Sequence, residues 1–132
     1  MNYLGIDWGE KRIGLALANS ETKLATPFKV VGSVAEVLEV VGEEKIDVVV
    51  VGRPASITNY QLRITNEKFN KFLEGLRAKL KVPLKLADER LSSKAVDALP
   101  GGKKLKAPRD AVAAMLILQT WLDAKRHEMN EY

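Results

Sequence analysis

The sequence has no cysteine and a single histidine, His127. The first absence excludes disulfides, thiolate metal sites and cysteine nucleophiles. The second argues against a Ser-His-Asp triad or a histidine-based zinc site. Aromatic residues are only 6% of the chain, and they form no stacking platform of the kind that reads single-stranded nucleic acid. No run approaches the roughly 18 consecutive apolar residues of a membrane span. The opening residues, Met1-Asn2-Tyr3-Leu4-Gly5-Ile6-Asp7, lack the basic leader and apolar core of a signal peptide. The expectation is a cytoplasmic protein without membrane contact, whose chemistry falls to carboxylates.

What is present is an ordinary globular balance. The 132 residues match one domain, expected to span 1–132. Hydrophobic residues are 46% and charged residues 29%, which argues against intrinsic disorder. The 21 Lys and Arg against 17 Asp and Glu leave a charge of +4, an excess that permits a nucleic-acid partner. There is no internal repeat or low-complexity tract.

Local pattern predicts an opening hairpin, Tyr3 to Trp8 and Ile13 to Ala18, around the turn Gly9-Glu10-Lys11-Arg12. In the second strand Ile13, Leu15 and Leu17 form a bulky face, whereas Gly14, Ala16 and Ala18 form a small one that lets another backbone approach closely. A third strand is expected over Lys23 to Phe28, with Pro27 confining its end to an edge or exit. Ser33 to Glu36 is a capping-box pattern, with Gly42 as the expected helix stop. Ile46 to Val51 has the nearly all-apolar, β-branched character of a central strand, followed by a loop at Gly52-Arg53-Pro54. Phe69, Phe72, Leu73, Leu76 and Leu80 mark one helical face. A last strand over Val82 to Ala87, a short helix from Ser92 or Ser93 to Leu99, and a final helix from Pro108 to about Lys125 complete the chain. The order predicts an α/β fold: a mixed five-stranded sheet, with a leading antiparallel meander and then parallel strands, flanked by helices.

Acidic residues fall at unusual places. Asp7 is near the end of an apolar strand, Asp88 and Glu89 follow another, and Asp110 opens an apolar helix. Taken singly, such residues serve as turn, cap or ion-pair groups, and Asp110 suits the positive end of its helix. Taken together they repel unless a hard cation such as Mg²⁺ or Mn²⁺ neutralises them, and such a cluster suits phosphodiester hydrolysis. Lys11, Arg12, Arg90, Lys94, Lys103, Lys104, Lys106 and Arg109 lie close by in sequence and are expected to hold a polyanion. Strand alternation puts Asp88 on the Val82-Leu84-Leu86 face and Glu89 on the other, without saying which face is active.

Gly5-Ile6-Asp7-Trp8-Gly9-Glu10-Lys11-Arg12-Ile13-Gly14-Leu15-Ala16 resembles the opening signature of the YqgF/RuvX family. Ala25-Thr26-Pro27, Val50-Val51-Gly52-Arg53-Pro54, Asp88-Glu89-Arg90-Leu91-Ser92-Ser93 and Asp110-Ala111-Val112-Ala113-Ala114 with Ile117-Leu118-Gln119 and Leu122-Asp123 resemble its later motifs, in order. The resemblance implies an RNase H-like fold, a site of Asp7, Glu89 and Asp110 with Asp88 as rival, and one or two Mg²⁺ or Mn²⁺. It also implies a nuclease for the 5′ end of pre-16S ribosomal RNA in ribosome biogenesis, working near ribosomal particles as a monomer or weak homodimer. The alternatives are a Holliday junction resolvase on branched DNA, expected to be a two-fold dimer, and a non-catalytic RNA-binding assembly factor. Gly5 to Gly9 also resembles the first phosphate loop of actin-like ATPases and sugar kinases, but those hold ATP between two such domains. The chain departs from the family after Pro54, where Ala55 to Gln61 has no glycine, and in a short segment between Leu99 and Asp110.

Overall fold

The computed structural model describes residues 1–9, 11–53, 59–88 and 109–130, and of residues 53, 59–66, 88 and 126–130 it describes the backbone. The chain runs β1 (Asn2–Trp8), β2 (Ile13–Asn19), β3 (Thr26–Val31), α1 (Val34–Glu43), β4 (Val48–Arg53), α2 (Asn59–Lys79), β5 (Leu84–Asp88) and α3 (Arg109–Asn130). The five strands form one sheet in the order β3-β2-β1-β4-β5. β2 pairs antiparallel with β1 and with β3, whereas β4 pairs parallel with β1 and with β5. This is the expected mixed sheet, and the expected short helix before Leu99 lies outside the described residues.

Alternation along the strands divides the core in two. Leu4 and Ile6 of β1, Ile13 and Leu15 of β2, and Val49 and Val51 of β4 are buried with Val37 and Val40 of α1 and Phe69, Phe72, Leu73 and Leu76 of α2. On the other face Tyr3, Ala16, Ala18, Val48 and Val50 are buried under Ala114, Ile117 and Leu118 of α3. β4 contributes to both clusters, which explains its run of four valines: a central parallel strand has no solvent face.

Three strands differ from expectation in their bounds. β3 begins at Thr26 rather than Lys23 because the preceding turn takes more of the chain. The Asn19 side-chain carbonyl accepts from the Glu21 and Thr22 backbone N–H groups at 3.0 and 2.8 Å. Lys23 is left-handed, at φ 56°. Gln119 of α3 then acts as a substitute strand partner. Its Nε2 donates to the Lys23 carbonyl at 3.2 Å, and its Oε1 accepts from the Ala25 N–H at 2.9 Å. β4 begins at Val48 rather than Ile46 and includes Gly52 and Arg53, which were expected in a loop. Ile46 is occupied in closing α1, and Gly52 is paired on both sides, with Asp7 and with Ala87. β5 likewise starts two residues late and ends on Asp88.

α1 shows both helix ends at work. The Ser33 hydroxyl accepts from the Glu36 N–H, and the Glu36 carboxylate accepts from the Gly32 N–H at 2.6 Å, one residue earlier than a capping box requires. The helix passes through Gly42 instead of stopping there. The Ile46 N–H donates to the Val41 carbonyl at 3.0 Å and the Lys45 N–H to that of Gly42 at 3.4 Å. This is a Schellman closure with Lys45, at φ 51°, where glycine is usual.

Two stability changes follow. Lys45→Gly is expected to raise the free energy of unfolding by up to about 1 kcal/mol, by removing left-handed strain. Gly5→Ala is expected to lower it by about 1–3 kcal/mol, because a Cβ there would lie 2.7 Å from Leu118 Cβ and 2.9 Å from the Ala114 carbonyl. Urea unfolding of the two variants beside the native chain measures both.

Candidate active site

Asp7 is the penultimate residue of β1, and alternation puts it on the face of Tyr3 and Gly5, beneath α3. Its register partners are Gly14 on β2 and Gly52 on β4, and Gly52 pairs onward with Ala87 of β5. The row Gly14–Asp7–Gly52–Ala87 therefore holds one polar side chain among positions with little or none.

α3 crosses directly over this row. A Cβ built on Gly14 would fall on the carbonyl of Asp110 and lie 2.9 Å from the Ala111 nitrogen. A Cβ on Gly52 would meet the end of the Ile117 side chain. Asp110, Ala114 and Ile117 share one stripe of α3, at i, i+4 and i+7. The stripe that meets Gly52 through Ile117 thus carries Asp110 in its first turn, and Asp110 is half-buried there. Two carboxylates distant in sequence are brought to one side of the sheet, at one end of α3.

The donor chemistry fits a hard divalent cation: two carboxylates on one face, beside backbone positions without side chains. Among the described residues no group of three or more acidic or histidine side chains is placed to hold a metal ion. Asp88 occupies the register position opposite Arg53, and Glu89 lies outside the described residues. The strands that carry Asp7 and Asp88, β1 and β5, are not adjacent in the sheet. β4 stands between them, because each parallel connection places the new strand one step further from β2. The face left open by the sequence is settled for the described part of β5: Ala87 packs with the α3 cluster and Leu84 with the opposite one.

Of the expected phosphate-holding residues, Lys11 and Arg12 are exposed in the turn after Asp7, and Arg109 is exposed beside Asp110. Arg90, Lys94, Lys103, Lys104 and Lys106 lie outside the described residues. Trp8 turns away from the carboxylates. Its ring packs edge-on against Phe69 at 5.6 Å and tilted against Phe72 at 6.2 Å, in the core beneath α2. Trp121 is half-buried at the far half of α3, edge-on to Tyr3 at 5.7 Å, with the Lys125 ammonium 4.7 Å from its ring centre. Gly52 was missed as part of the site. The available signal was a glycine directly after a valine run, which marks a strand position where something approaches closely.

A family model described as RuvX, Holliday junction resolvase, matches residues 1–124. The chain belongs to the RuvX family. A relative in Maridesulfovibrio salexigens, named "Putative pre-16S rRNA nuclease", is 35% identical over 133 residues, covering 92% of this chain and 98% of its own. One of the same name in Chloroflexus aggregans is 34% identical over 135 residues, covering 94% of each. Among solved structures, Thermus thermophilus RuvC in complex with a Holliday junction substrate superposes with a TM-score of 0.67 at 20% identity, over 96% of each chain. The fowlpox virus resolvase bound to Holliday junction DNA gives 0.56 at 11% identity, over 95% of this chain and 99% of its own. These two likenesses are of fold, and they make the fold of this RuvX-family chain RNase H-like, as its motifs implied. Membership places the chain among phosphodiester-hydrolysing enzymes that act on nucleic acid. Among the described residues no helix is long and apolar enough to cross a membrane.

The orientation of Trp8 has a direct test. Trp8→Phe is expected to leave nucleic-acid affinity within about 2-fold of the native value, because an aromatic ring still fills the space against Phe69 and Phe72. A filter-binding titration at fixed salt measures it, and a larger loss would place the ring on the substrate.

Proposed function

We propose that this chain is a divalent-metal-dependent nuclease that matures the 5′ end of pre-16S ribosomal RNA in the cytoplasm, with residues 1–132 acting as one nuclease domain. The observation that carries the reading is the convergence of Asp7 and Asp110 over the Gly14–Gly52 row. The names of relatives more than 30% identical over nearly the whole chain support the substrate.

In this reading Asp7, Asp110 and a third carboxylate hold one or two Mg²⁺ or Mn²⁺. Glu89 is preferred to Asp88 as the third, as the resemblance of Asp88-Glu89-Arg90 to the family motif implies. The cation, when bound, offsets the carboxylate charge and supplies Lewis-acid stabilisation of phosphate oxygens. Lys11, Arg12 and Arg109, with Arg90, Lys94, Lys103, Lys104 and Lys106, bind backbone phosphates and orient the scissile bond. Hydrolysis forms a bond from a water oxygen to phosphorus and breaks one ester P–O bond. The leaving oxygen is protonated, and the new phosphate loses the water's other proton.

The family description favours a second substrate, branched DNA. A symmetric cut on a junction requires a two-fold dimer, whereas RNA trimming is open to a monomer or weak homodimer, on free RNA or on a ribosomal particle.

The deciding experiment gives the purified protein, with Mg²⁺ or Mn²⁺, pre-16S leader RNA, unstructured RNA and a four-way DNA junction. Asp7→Asn is expected to abolish cleavage while leaving the unfolding midpoint within a few degrees of native, since it removes charge without changing shape. Cleavage of leader RNA supports the reading; cleavage of the junction alone replaces it with the resolvase reading. Native-level cleavage by Asp7→Asn would remove the carboxylate site altogether.

A further inference from the structure

We infer that Gly14 is a positioning residue for the carboxylate pair, through its lack of a side chain rather than through backbone freedom. The inference rests on Asp7 and Asp110 forming the metal site proposed above. Gly14 is the antiparallel register partner of Asp7, and the Asp110 carbonyl lies directly over it. The glycine beside the first carboxylate, on the neighbouring strand β2, is therefore the position on which the helix turn that carries the second one rests.

The three glycines beneath α3 are not equivalent. At Gly52 the atom that a Cβ would meet is the tip of Ile117, which can rotate away. At Gly5 the obstacles are Leu118 Cβ and the Ala114 carbonyl, both in the middle of α3 and at least one helical turn from Asp110. At Gly14 the obstacles are the Asp110 carbonyl and the Ala111 nitrogen, all of it backbone. No rotamer change relieves that contact. The first turn of α3 must rise from the sheet, and Asp110 rises with it. Gly14 also has a neighbour in Ala16, one pleat along on the same face and fully buried under the same helix. A methyl group is therefore tolerated two residues along the same strand, so within β2 the need for glycine is local to the Asp110 crossing.

The test is a Mn²⁺ titration by calorimetry on native, Asp110→Asn, Gly5→Ala, Gly14→Ala, Asp110→Glu and Gly14→Ala/Asp110→Glu chains, with unfolding curves for each. Native binding that is lost in Asp110→Asn establishes the underlying site. Gly14→Ala is then expected to weaken Mn²⁺ binding by about 10–100-fold, the usual loss when a ligand's support is displaced. Gly5→Ala, whose clash is also with α3, is expected to keep affinity within about 3-fold. A longer carboxylate should regain part of the lost reach, so Asp110→Glu is expected to weaken binding on the native background and to improve it on the Gly14→Ala background. A general loss of stability does not produce that sign reversal.

Should Gly14→Ala fail to fold, Asp110→Glu on the native chain decides. Weakened binding supports a spacing matched to the shorter side chain, and native affinity overturns it. Equal affinities for Gly14→Ala and Gly5→Ala, with Asp110→Asn inactive in binding, overturn the role of Gly14 and leave the site standing. Unchanged binding in Asp110→Asn overturns the carboxylate reading, and the inference falls with it.

Discussion

α3 lies so close to the sheet that the strand positions beneath it have little room for side chains. Gly5, Gly14 and Gly52 are buried under it, and at each of them a methyl group would strike the helix. Packed interiors have little slack, and a helix resting on backbone has less than one resting on side chains. The position of α3, and of everything it carries, follows from that contact. Asp110 is carried at its first turn, and Gln119 further along holds the turn that leads into β3.

The two faces of the sheet divide the labour. The face toward α1 and α2 is built from large aliphatic residues and the Trp8–Phe69–Phe72 aromatic group, and it buries most of the bulky apolar surface. Each fully buried side chain of that kind contributes about 1.5–3 kcal/mol of transfer free energy. The face toward α3 is built, apart from Tyr3, mainly from glycine, alanine and valine, and it offers close approach instead of bulk. A carboxylate at the end of the bulky face would sit among aromatic rings. At the end of the small face it has glycines on both sides and the first turn of a helix above it. Asp7 and Trp8, adjacent in the chain, fall on opposite sides of this division because a strand alternates.

Much of this was legible in the chain. The bulky and small faces of β2, the central character of the valine strand, the edge position of Pro27 and the order of the elements all follow from alternation and helical spacing. Asp7 and Asp110 stand out because each is an acidic residue in an apolar element. What was not legible came from bonds made between distant segments. Gln119, 96 residues from Lys23, draws the chain before Thr26 away from β2. Asp7 and Ala87 on either side pull Gly52 into β4, although the local pattern of Gly52-Arg53-Pro54 reads as a loop. The stop at Gly42 failed because the last turn of α1 closes onto Ile46, and a lysine accepts the left-handed position that glycine would take more easily.

By itself the sequence determined the residue types and periods: which positions are apolar, which carry carboxylates, and which way each strand and helix must face to bury its stripe. Those are local properties, set by the pleat and by the helical repeat. Only the tertiary structure decided that Asp7 faces α3 and not α2, that β4 separates the first strand from the last, and that the backbone of Asp110 rests on Gly14. Each of these is a distance between segments far apart in the chain. Such distances are set by how tightly surfaces close on one another, and here the closest surface in contact is the one on which the chain places no side chain at all.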